Sequence, residues 1–186
     1  VGPVEDFAQA RNYHELPADS PVRLSFVTRT PRYVYVFSQS AEDGTILMFP
    51  SPEVDGSPPN PLPTGRTVLP GSRDDGALSW TTRAEIRATT CYVAVASEAP
   101  VPELEALLPR LRRWSNKALV DRSMQVTNPR GEVELAGKPR GAWPAPVLAR
   151  AASRASAAVE VNGPMHPDEQ LPGVWSTSFR VRERPE

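Results

Sequence analysis

Twenty-two prolines divide these 186 residues into pieces too short for long helices. Proline fixes its own φ, donates no backbone hydrogen bond and biases the preceding residue towards extended backbone. At about twice its ordinary usage it favours turns and short strands. The pieces between prolines carry the period of two that marks strands. In residues 22–27, Val22, Leu24 and Phe26 alternate with Arg23, Ser25 and Val27. "RYVYVFSQS", residues 32–40, reads as the pairing partner of that strand, with Tyr33, Tyr35 and Phe37 on one face and Val34 and Val36 on the other. "TCYVAVASE", residues 90–98, sets Cys91, Val93 and Val95 against Tyr92, Ala94 and Ala96 and is expected to be a central strand.

Between these runs, Asp43 and Gly44 suit a tight hairpin leading to a strand "TILMF" at 45–49. "SPEVDGSPPNPLPTGR", residues 51–66, holds too many prolines for a sheet interior and is expected to be a long surface loop, with a possible pocket beneath it. "RTVLP" follows as an edge strand, and "ALSWTT" and "AEIRAT" as two more. At 101 the period changes. Leu104, Leu107, Leu108 and Leu111, extended by Trp114, form an apolar stripe that predicts a packing helix over 101–119, bent or divided at Pro109. A helical turn is expected at 4–10, a short helix at 149–158 and strand character at "AAVEV". The closing "VWSTSFRVRE", residues 174–183, alternates again and is expected to return the chain to the sheet.

The expected fold is mainly β: antiparallel, sandwich-like or a partly open barrel, with one or two short packing helices. Residues 1–186 read as one domain, with a core over about 20–120 and a Pro/Ala-rich C-terminal extension that comes back as a strand. Whether that extension completes the sheet or covers it stays open. Twenty-one basic and 22 acidic residues leave a formal charge of -1, so no whole-chain field draws in nucleic acid or an anionic membrane. There is no run of 18 apolar residues, and direct membrane insertion of this segment is not expected. The sequence opens at Val1, which leaves an upstream signal, anchor or further domain open.

"LSFVTRTPRYVYVFSQSAEDGTILMFPSP", followed by "NPLPTGRTVLP" and "YVAVASEAPVPELEALL", resembles the DUF4384 family of bacterial domains of unknown function over about residues 20–112. The likeness lies in the order of the strands, the turn, the proline-rich loop and the late strand followed by a helix. It implies a compact module of envelope or signalling proteins, attached to other modules and carrying no established catalytic constellation. On that basis a periplasmic or other envelope location is favoured. Residues 120–186 depart from the family's compact pattern.

Catalytic signatures are missing: no G-x-S-x-G elbow, phosphate-binding loop, dinucleotide fingerprint or H-E-x-x-H. With only His14 and His166, a three-histidine metal site is impossible, and neither a metal nor another cofactor is expected. Cys91, the single cysteine, excludes an internal disulfide. Its apolar strand favours an inert core thiol over a nucleophile paired with His14 or His166. The acidic groups in "AEDG", "SRDDG" and "DEQLPG" are better explained as turns than as calcium ligands. The candidate interaction surface is therefore aromatic and basic: Tyr33, Tyr35 and Phe37 if that strand face is open, and Arg112, Arg113 and Trp114 on the polar side of the expected helix. The competing explanations are a strand face wholly in the core and a solvated helix face. The functional expectation is a non-catalytic accessory or protein-interaction domain, with protein rather than nucleic acid as partner. The alternative is a small hydrolase using a Cys/His or carboxylate site.

Overall fold

The computed structural model describes residues 14–17, 21–40, 44–81, 89–113, 143–153 and 165–184. In chain order the strands before the first helix are β1 (His14–Pro17), β2 (Pro21–Val22), β3 (Leu24–Thr28), β4 (Tyr33–Ser40), β5 (Gly44–Phe49), β6 (Gly65–Leu69), β7 (Ser72–Arg73), β8 (Gly76–Ala77), β9 (Trp80–Thr81) and β10 (Thr89–Ser97). Then come α1 (Pro102–Glu105), a 3-10 turn at Leu108–Arg110, β11 (Arg112–Arg113), α2 (Pro146–Ser153), β12 (His166–Pro167) and β13 (Val174–Arg184). The fold is mostly β, antiparallel in its main pairings, sandwich-like and without a closed barrel.

Among the described residues, seven strands form the main sheet, in the order β1-β13-β10-β4-β5-β11, with β12 also on β13. The antiparallel centre is β13, β10, β4 and β5, while β1 on β13 and β11 on β5 are parallel. Because β10 occupies one edge of β13 along residues 174–182, its other edge holds β12 at Trp175 and Ser176 and β1 from Val181 onward. The C-terminal extension thus completes the sheet with β13 and covers it with α2.

The alternation seen in the sequence sorts the sheet into two apolar faces. Tyr35, Phe37, Leu47, Cys91, Val93 and Val95 point to one side, where Val101, Leu104, Leu111 and the α2 residues Val147, Leu148, Ala151 and Ala152 cover them. Val34, Val36, Tyr92, Ala94, Ala96 and Phe179 point to the other, against Leu62, Leu69 and Trp80. On that second side Tyr92 and Phe179 stack with centroids 4.9 Å apart, an offset arrangement that adds to simple burial. A bulge between Val36 and Phe37 inserts one extra residue into β5, and Met48 and Phe49 both join the second core.

Three expectations change. "RYVYVFSQS" does not pair with the strand before it, because β4 has both edges taken by β5 and β10. β3 turns away and makes a separate two-stranded ribbon with β6, laying Leu24 and Phe26 on the second core. The helix expected over 101–119 is one turn long. Pro109 cannot donate to a continuing ladder, so the chain passes through the 3-10 turn and is extended by Leu111, and Arg112 and Arg113 pair as a strand with Ile46 and Leu47. The later helix begins at Pro146 rather than 149, with proline in the first turn where no partner is needed for its nitrogen. The expected turn at 4–10, the strand at "AAVEV", and most of "AEIRAT" lie outside the described residues. Among the described residues no helix is long and apolar enough to cross a membrane.

Candidate interaction surface

The aromatic half of the expected surface is interior. Tyr35 and Phe37 have no solvent exposure, and Tyr33 packs at the margin of the same core. Their face is closed because α1 and α2 bring leucine, valine and alanine onto it; a bare row of aromatic rings is not stable in water. Tyr35 has a further task. Its hydroxyl donates to Glu105 Oε1 at 2.5 Å and accepts the Val101 backbone N–H at 3.3 Å, fixing α1 to the centre of the sheet. Burial, reinforced by the Glu105 carboxylate, pushes the phenol well above its usual range, so it stays a donor.

The basic half sits elsewhere on the sheet. β11, with Arg112 and Arg113, lies two strands from β4, roughly 10 Å away, and is described by its backbone register alone. Trp114 lies outside the described residues. Arg112 and Arg113 are thus on an extended strand of the sheet rather than on a helix that covers Tyr35 and Phe37.

Cys91 is buried beside Val93, and burial pushes its thiol up while the nearby Arg180 charge pulls weakly the other way. His166 stands apart from it. Cys91 is in register with Arg180, whereas His166 is in register with Ser176, four residues or roughly 13 Å along β13. His14 is on β1, two strands from β10, and is in register through Val181 with Thr90. A thiolate–imidazole pair between Cys91 and His166 does not fit this register. Among the described residues no group of three or more His, Cys, Asp and Glu side chains has a metal-binding arrangement.

The proline-rich loop is tied down along its length, and apolar anchors fill its underside. Val54 and Leu62 are buried, and Ser51 Oγ donates to the Met48 carbonyl at 2.5 Å. Asn60 Oδ1 accepts the Val34 N–H at 2.9 Å, and Leu62 exchanges two backbone hydrogen bonds with Arg32. Further along, the Ser72 N–H donates to the Gly56 carbonyl at 3.0 Å. Gly71 lies so close to that carbonyl that a Cβ there would fall 2.0 Å from the oxygen.

Two arginines, Arg150 and Arg32, are committed within the fold. Arg150 of α2 forks onto Asp168, Nε to Oδ2 at 3.1 Å and Nη2 to Oδ1 at 2.9 Å, and its Nη1 donates to Gln170. The Gln170 and Leu171 backbone N–H groups also donate to Asp168 Oδ1. Arg32 lies over the Trp175 ring, 5.0 Å from its centroid, and pairs with Glu98 at 3.0 Å.

What faces outward is the β3–β6 ribbon. Its inner positions meet the second core, and its outer face carries Val27, 78% exposed, with Ser25 and the cross-strand Arg66 beside it. Val27 is the one exposed large apolar side chain among the described residues. Arg66 Nε donates to Ser25 Oγ at 3.0 Å across this face, and Thr28 Oγ1, on the inner side of β3, donates to the Pro63 carbonyl at 2.7 Å and ties the ribbon's end to the loop. The alternation of residues 22–27 already put Val27 opposite Leu24 and Phe26, but its exposure depended on which strand paired with β3. No family model, curated protein or solved structure matches the chain.

Proposed function

We propose that the chain is a non-catalytic accessory or protein-interaction domain of a bacterial envelope or signalling protein, the role implied by its resemblance to the DUF4384 family. The observation that carries the interaction reading is the outward ribbon. The chain fills both faces of its main sheet with its own side chains, while the β3–β6 ribbon presents Val27 within a fixed polar frame. Apolar side chains set in a polar rim are the usual composition of protein contact surfaces. The separation of Cys91 from His166 in register supports the non-catalytic half.

Site-specific photo-cross-linking in bacterial cells tests this, with the linker at Val27 and, as a control, at the exposed Asp74 of the β7–β8 turn. A discrete protein adduct from position 27, absent from position 74 and competed away by the unlabelled purified domain, is the expected result. Adducts of equal yield at both positions, or none at 27, would overturn the ribbon as the contact face. Turnover of ester, peptide or phosphoester substrates that is lost in Cys91→Ala while the variant stays folded would overturn the non-catalytic reading.

A further inference from the structure

We draw no further inference here: the strongest candidate, the outer face and edge of the β3–β6 ribbon around Val27, belongs to the surface already described, and nothing in the structure shows what covers it.

Discussion

Asp168 has no exposed side-chain surface, yet it carries a charge. Burial alone pushes its carboxyl up, but the Arg150 fork and the Gln170 and Leu171 amides together hold it below the ordinary carboxylate range. A carboxylate whose folded value is depressed adds stability that is complete above its unfolded value of about 3.9 and is lost as pH falls through the lower folded value. Asp168→Asn is expected to cost roughly 3 kcal/mol at pH 7, the low end for breaking a buried pair, because Arg150 keeps some access to water. Urea unfolding between pH 2 and 7 checks both points: the variant should be less stable at neutral pH and should lose less on acidification than the parent. Cys91 shifts the opposite way. Its raised value keeps the native thiol protonated, and stability should fall as pH rises past the unfolded value of about 8.5. Labelling with a thiol reagent at pH 8 should be slow in buffer and fast in urea; fast labelling of the native protein would remove Cys91 from the core.

Two short elements show how single positions decide local structure. Across α1 and the 3-10 turn after it, Leu104 is completely buried, while Leu107 and Leu108 only border the core and Arg110 is exposed. Leu104→Ala should destabilise by about 2–5 kcal/mol and Arg110→Ala by no more than about 0.5, with Leu108→Ala between them, all measured by chemical unfolding. A Leu108 effect equal to that of Leu104 would point to a longer packed helix than one turn. Between β6 and β7, Gly71 has φ +134° and abuts the Gly56 carbonyl of the proline-rich loop, whereas Gly44 has φ +68° with nothing within 4 Å of an added Cβ. Gly44→Ala should cost about 1 kcal/mol from backbone strain alone, and Gly71→Ala clearly more, because the obstacle is backbone and has nowhere to move. Equal thermal shifts for the two variants would mean the loop is not clamped there.

At the scale of the whole molecule, the main sheet was legible wherever alternation was uninterrupted. Tyr33 to Phe37, Cys91 to Ala96 and Val174 to Phe179 each sort onto two faces as their sequence alternates. Pairing was not legible, because alternation fixes which face a residue takes but says nothing of its neighbour; hence the sequence suggests β4 as the partner of β3, where the fold supplies β6. The leucine stripe suggested a long helix because spacing records a favourable face even where Pro109 prevents the ladder. Val54 and Leu62 were hidden by the prolines and glycines around them, and only the tertiary fold shows them as the loop's anchors. For the candidate surface, the same alternation that made "YVYVF" conspicuous also buried it, while Val27 stood out only once the ribbon was placed.

β13 is an integral strand of a sheet whose two faces are closed by the chain itself. Native-state hydrogen exchange as a function of urea distinguishes this from a loosely attached strand. If β13 and the β4–β10 centre form one cooperative unit, amides of Val36, Val93 and Phe179 should exchange with the same opening free energy and the same urea dependence, through global unfolding. Exchange at Phe179 through a separate opening several kcal/mol cheaper than at Val36 and Val93 would contradict it, making the C-terminal strand an appended edge that the sheet does not need.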